Sequence, residues 1–422
     1  MTRFLFATWE GGGHVQPMVL VARGLIDLGH EALVLSDRVN AGDCAAFGVP
    51  FQPWRRAPSR TDRSPESDPI QDWQAATPLE TIERLSERII CGPAALYGRD
   101  AAEAIDAFAP HVVICHELMF GVMAAAEAKG VRLAVFAANV WSLPTLDEGP
   151  PFGGGLPPPR TEFDHDLYRR LRQATRQAYQ CGLPALNAAR ETLGLGPLTD
   201  VFEQLDAAGR ILLATSRAFD YDQTPPPPFA YVGPYFADPQ WAENWVSPWP
   251  EADPRPLVLV SFSTMYQGQE AALRRVIEAL GGLNVRAVVT LGPSLAPENF
   301  PTPPNVVVAA RAPHGRILPL ASVIVTHAGH ASALRPLMAG VPVVALPLGR
   351  DQPDNAQRIV ECGAGVRLMP DARPGEIAEA VQTVLSDPRY RAAAKAIGAR
   401  IAAEAERRSA ERELLALAGE TP

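Results

Sequence analysis

Residues 326–332 read Thr326-His327-Ala328-Gly329-His330-Ala331-Ser332, between an apolar β-branched run and a stretch with helical spacing. Such a strand-to-helix turn has small residues at its centre and Ser332 placed as the N-cap. It gathers free backbone amides and the positive end of a helix dipole at one point. That is the chemistry of phosphate binding. Arg335 is read as lying in the first turn of that helix, where a cation is disfavoured unless an anion sits beside it or it turns to solvent or a neighbouring acid. A second turn of the same kind, residues 346–355, carries Asp351 and Gln352, whose acceptors and amide suit vicinal hydroxyls. Near the start, Glu10-Gly11-Gly12-Gly13-His14 follows another apolar run. Its continuation, Val15-Gln16-Pro17, breaks the GxGxxG spacing and argues against a dinucleotide-dependent dehydrogenase.

The elements that must position these residues follow from periodicity. The first forty residues read as strand, glycine loop, helix (17–28) and strand (31–36), with Gly29 where a left-handed cap is wanted. Strand-like runs recur at 112–115, 132–136 and 211–214 with helical stretches between them, so a parallel sheet is expected. Periodicity fades over 224–256, where Pro225 to Pro228 are consecutive prolines and Tyr231, Trp241, Trp245 and Trp249 are the aromatic anchors. A second series of the same type starts at 257. The expected organisation is a Rossmann-like domain over 1–223, a linker over 224–256, a second Rossmann-like domain over 257–400, and a terminal helix over 401–422 packing back on the first. The fold class is α/β, two doubly wound halves with a ligand crevice at the carboxyl ends of both sheets.

Bulk properties narrow the partners. A chain of 422 residues is long enough for two cores. The net charge of −9, with lysine only at Lys129 and Lys395, argues against nucleic acid as a partner. The five cysteines form no CxxC pair, the run from Phe4 to Ala7 is too short for a secretory leader, and no apolar run is long enough to span a bilayer. A reduced, cytoplasmic protein is expected, as a monomer or homodimer. No histidine or carboxylate cluster has metal-ligand spacing, so neither a metal nor a cofactor is expected. His30, His111, His165 and His314 are read as structural.

The block from His327 to Asn355 resembles the donor-binding motif of family 1 glycosyltransferases of the GT-B fold, and the likeness is strongest to the bacterial natural-product branch. The glycine loop and Tyr231-Val232-Gly233-Pro234 extend it over essentially the whole chain. The resemblance implies that His327, Gly329 and Ser332 grip the diphosphate of a nucleotide-sugar donor, with His330 and Ala331 in the same donor-binding turn, and that Asp351 and Gln352 hold the sugar. It further implies that Gly13, Ser263 and Thr264 face the phosphates, although the latter pair also suits an ordinary ST-turn. His14 becomes the general base, for which an imidazole near its ordinary pKa is suited, with helix capping or packing as the competing reading. Glu117 or, by an equally good alignment, His116 would orient it.

Two departures bear on the donor. Plant members have Asn where this chain has Ala331, and a ribose-binding Glu where it has Arg335. Arginine accepts no hydrogen bond, so a dTDP-sugar is favoured slightly over a UDP-sugar. The implied reaction is inverting transfer of a hexosyl group to a small hydrophobic acceptor, held by residues 54–73 and 141–159. The alternatives are a catalytically weak homologue that activates another glycosyltransferase, and a sugar-nucleotide epimerase of similar fold.

Overall fold

The computed structural model describes residues 1–420 apart from 222–224, 239–245, 251, 263–264 and 293. Ser263, Thr264, Trp241 and Trp245 therefore lie outside the described residues. The chain folds into two parallel sheets flanked by helices. Across the first sheet the strands run Phe51–Pro53, Glu31–Ser36, Arg3–Ala7, Val112–His116, Arg132–Ala137, Arg210–Leu213 and Phe229–Tyr231. Across the second they run Val306–Ala309, Arg286–Thr290, Leu257–Ser261, Val323–Thr326, Val343–Ala345 and Gly365–Arg367. Both halves are thus Rossmann-like and doubly wound, as expected.

Phe229–Tyr231 corrects the linker boundary: this segment is an edge strand paired parallel to Arg210–Leu213. An edge strand exposes one side and can be short, so its apolar alternation was too brief to register.

Buried strands explain themselves by side-chain alternation. Phe4 and Phe6 enter one core of the first sheet while Leu5 and Ala7 enter the other, and Val258/Val260 and Leu257/Leu259 divide the same way in the second. A sheet covered on both faces needs apolar residues at every position, hence the continuous apolar runs. Gly29 ends the helix Val15–Asp27 at φ +87°, in the left-handed region.

The tail is three helices, Pro374–Ser386, Pro388–Glu406 and Ser409–Ala418. The last of them leaves the second domain and places Ala410, Leu414 and Leu415 in the core formed by Phe4, Phe6 and Met18. Tyr235 fastens it: its hydroxyl donates to Glu411 Oε2 at 2.6 Å and accepts from Ala410 N at 3.1 Å. Pro388–Glu406 lies against His330–Met338, where a Cβ on Gly398 would stand 1.8 Å from Leu337 O, so only glycine permits the approach. No helix among the described residues is long and apolar enough to cross a membrane.

Leu414 is fully buried. Leu414→Ala is expected to cost about 2–5 kcal/mol, read as an earlier denaturant midpoint followed by a probe in the first domain. An unchanged midpoint would mean that the terminal helix does not hold that domain together.

Candidate functional site

In each sheet the first strand lies beside the fourth: Arg3–Ala7 pairs with Val112–His116, and Leu257–Ser261 with Val323–Thr326. Chain connections leave such a pair in opposite directions, opening a crevice at the carboxyl ends of the strands. The glycine loop and His116-Glu117 occupy that position in the first half. The turn 327–332 occupies it in the second.

Glu10, almost fully buried, sets the glycine loop. Its Oε1 accepts from Gly12 N at 3.0 Å, its Oε2 pairs with Arg63 at 3.0 Å, and its own N donates to Asp37 at 2.8 Å. A Cβ on Gly11 would come within 2.2 Å of His14 Cε1 and 2.7 Å of the Trp9 ring, so glycine is required there. At Gly13 a Cβ would meet nothing within 4 Å, so this glycine stands exposed and open.

His14 occupies the N-cap position of Val15–Asp27, but its side chain caps nothing. Its Nε2 instead donates to Trp9 O at 2.8 Å, which leaves Nδ1 with the lone pair in the neutral ring. Burial holds its pKa down to about 4, with the Trp9 bond opposing and the Arg350 charge adding to the fall. The expected ordinary imidazole value does not hold, because the ring is taken out of water without a carboxylate partner.

Neither residue named as its orienter bonds to it. The His116 ring lies against the His14 ring with centroids 4.0 Å apart, and His116 Nδ1 accepts from Leu118 N at 3.2 Å. Glu117 sits behind His116, with Oε2 3.2 Å from His116 Nε2 but not hydrogen-bonded to it. Glu117 Oε1 accepts from Ser142 Oγ at 3.3 Å. Burial raises the Glu117 carboxyl to about 8, so it is largely protonated at neutral pH.

In the second half, Ala328 adopts φ +64°, a conformation rare for a residue with a side chain. It is held by Asn355 Nδ2 donating to Ala328 O at 3.0 Å and by Ala328 N donating to Thr326 Oγ1 at 3.3 Å. The N-cap is Gly329 and the helix runs His330–Met338, so Ser332 is its third residue and not the cap. A Cβ on Gly329 would lie 2.7 Å from His327 Nε2, which explains the glycine. His327 packs over Phe262 with centroids 6.0 Å apart, and burial lowers it to about 4.

His330 N donates to Asp351 Oδ2 at 3.1 Å, leaving the amides of Ala331 and Ser332 as helix-start donors. His330 Nε2 meets Thr215 Oγ1 of the first domain at 2.9 Å, and burial lowers this ring to about 3. Arg335 falls in the last turn of the helix, where the dipole favours a cation, and it pairs with Asp238. The expected anion beside Arg335 is therefore a residue of this chain.

Asp351 and Gln352 serve the loop first. Asp351 Oδ2 also accepts from Asn355 Nδ2 at 2.8 Å. Gln352 Oε1 accepts from Leu348 N at 2.7 Å, and its Nε2 donates to Gln267 Oε1 at 2.6 Å. Gln352 is 1% exposed, so its Oε1 is committed to shaping residues 348–352.

Sequence reasoning missed the groups that close the crevice. Arg350 reaches across to Asp72, Arg358 pairs with Asp220 at 2.7 Å, and Asp354 accepts from Gly153 N at 2.5 Å and Gly155 N at 2.7 Å. Contacts of this range leave no local spacing signal. Beside them lies a small pocket lined by Trp141, Leu143, Phe152, Tyr231, Asp220 and Arg358 among others. Ser142, also on its wall, links it to Glu117. Of the two loops expected to hold an acceptor, 141–159 contributes to this pocket and 54–73 does not.

Residues 274–417 match the model of the erythromycin biosynthesis protein CIII-like C-terminal domain. Over 402 residues the chain is 29% identical to 4'-demethylrebeccamycin synthase of Lentzea aerocolonigenes, covering 92% of this chain and 93% of that one. It is 25% identical to O-mycaminosyltylonolide 6-deoxyallosyltransferase of Streptomyces fradiae, covering 95% and 94%. The solved structure of the glycotransferase of kitacinnamycin superposes with a TM-score of 0.77 at 20% identity, covering 100% of this chain and 99% of that one, which is a likeness of fold.

The Glu117 carboxyl predicts a pH effect on stability. Its folded-state pKa, near 8, lies above the unfolded value near 4.5, so between these the native state holds the proton that the unfolded state has lost, and stability falls as pH rises. Glu117→Gln removes that term. Its melting temperature should match the parent near pH 4 and exceed it increasingly up to pH 9. A constant difference across that range would refute the protonated carboxyl.

Proposed function

We propose that this chain, a member of the family 1 glycosyltransferases of the GT-B fold, transfers a hexosyl group with inversion from a dTDP- or UDP-sugar to a small hydrophobic acceptor. The acceptor hydroxyl loses its proton to Nδ1 of His14 as its oxygen bonds to the anomeric carbon. The bond from that carbon to the diphosphate breaks, and the electron pair leaves on the diphosphate toward the amides of Ala331 and Ser332. An oxocarbenium-like centre between a base and an anion-binding helix start lets both charges develop against fixed dipoles.

One observation carries the reading: the two switch-point loops face a single crevice. Met265 Sδ stands 3.0 Å from where a Cβ of Gly12 would be, and the charge of Arg350 acts on both His14 and His327. The depressed pKa of His14 keeps the ring unprotonated throughout the physiological range and makes it a weaker base than an ordinary imidazole, so proton transfer relies on the placement of Nδ1. Asp351 would meet the sugar directly, and Gln352 by trading the bond from its Nε2 to Gln267 for one to a sugar hydroxyl. For the acceptor, the pocket at Trp141 and Phe152 sets aromatic faces beside the charged groups of Arg172, Asp220 and Arg358, which would suit a planar aglycone that carries polar substituents.

Incubation with dTDP- or UDP-hexose and a panel of planar phenolic acceptors should release nucleotide diphosphate only when an acceptor is present. Release that needs a second protein would favour the activating-partner reading, and sugar isomerisation without an acceptor the epimerase. His14→Ala should lower turnover about a hundred- to ten-thousandfold while leaving nucleotide diphosphate affinity within about twofold. Full turnover in that variant removes His14 as the base.

A further inference from the structure

Arg350 precedes Asp351 in the loop that shapes the helix start, and its backbone is left-handed at φ +57°. Its side chain turns out of the second domain. Nε and Nη2 donate to the two carboxylate oxygens of Asp72, the second at 2.7 Å, and Nη1 lies 3.9 Å from Met265 Sδ. That sulfur is the atom facing Gly12. One guanidinium thus bridges the loop of Asp351, the glycine-loop side of the crevice and a short turn of the first domain, Asp72–Gln74. Arg350 is 24% exposed and Asp72 14%.

The crevice is short of positive charge. Burial keeps His14, His116, His327 and His330 neutral. Asp351 takes the His330 N–H, and with it one of the helix-start donors an anion would use. A diphosphate there needs a cation to offset its charge, and Arg350 is the cation whose field reaches the rings on both sides. A guanidinium fork binds carboxylate and phosphate in the same bidentate geometry.

We propose that Arg350 is the counter-cation of the departing diphosphate and that Asp72 is its internal stand-in, holding the fork in place until the donor displaces it. The inference rests on the reading of the 327–332 turn as the diphosphate site. The exchange keeps the half-buried guanidinium paired at every stage, which avoids the cost of an uncompensated charge. It also links donor binding to the Asp72 turn, because the diphosphate and Asp72 compete for one fork.

Titration calorimetry with UDP, dTDP and the matching monophosphates tests this. Arg350→Gln should weaken diphosphate binding about ten- to a hundredfold and monophosphate binding far less, with Arg350→Lys between Gln and the parent. Asp72→Asn should bind diphosphate at least as tightly as the parent, since its competitor is gone. The proposal is overturned if Arg350→Gln keeps parental diphosphate affinity, if it loses both nucleotides equally, or if Asp72→Asn is as weak as Arg350→Gln. Should Arg350→Gln not fold, the Asp72→Asn affinity decides alone. A parent protein that binds neither diphosphate would remove the underlying site reading instead.

Discussion

A parallel strand must hand its chain back over a face of the sheet, so every loop that follows a strand emerges at the same edge. Where neighbouring strands send their connections to opposite faces, that edge parts into a crevice. This molecule has the arrangement twice, between Arg3–Ala7 and Val112–His116 and between Leu257–Ser261 and Val323–Thr326. The glycine loop, His116-Glu117 and the His327 turn are set where they are by this constraint alone. Because the two crevices face each other, residues far apart in the chain share one low-dielectric space.

Desolvation governs the chemistry of that space. It keeps four histidines neutral and a carboxyl protonated. A neutral imidazole can take a proton and a protonated Glu117 adds no charge, so the burden of meeting an anion falls on backbone amides and on Arg350. Fixed dipoles serve well here because they need no reorganisation when charge develops. The same loops are stiffened by strain: Ala328 and Arg350 both hold left-handed backbones, and such conformations persist only where the surroundings over-determine them. At Ala328, Asn355 supplies that restraint.

Much of the frame was legible because it rests on local physics. Apolar runs buried on both faces read as parallel strands, and Gly29 read as a left-handed helix end because residues with a Cβ rarely adopt that backbone. Gly329 and Gly11 carry a second message that only coordinates reveal: each leaves room for a histidine ring, His327 and His14 respectively. The edge strand Phe229–Tyr231 was hidden because three half-buried residues leave no periodicity. Ser332 and Arg335 were each misplaced along one helix, since it starts three residues earlier than expected, with Gly329 and not Ser332 as its N-cap.

The sequence by itself determined the doubly wound halves, the motif at the helix start and the likeness to family 1 glycosyltransferases, because these depend on side-chain pattern over short spans. Tertiary structure alone decided which groups meet. The Trp9 carbonyl, and not a carboxylate, holds His14; Gln352 bonds both its own loop and the distant Gln267; Arg350 crosses to Asp72. The reason is physical: a hydrogen bond or ion pair between distant segments imposes no pattern on the residues between them, and burial, the largest cause of the shifted histidine and Glu117 pKa values, exists only in the folded chain.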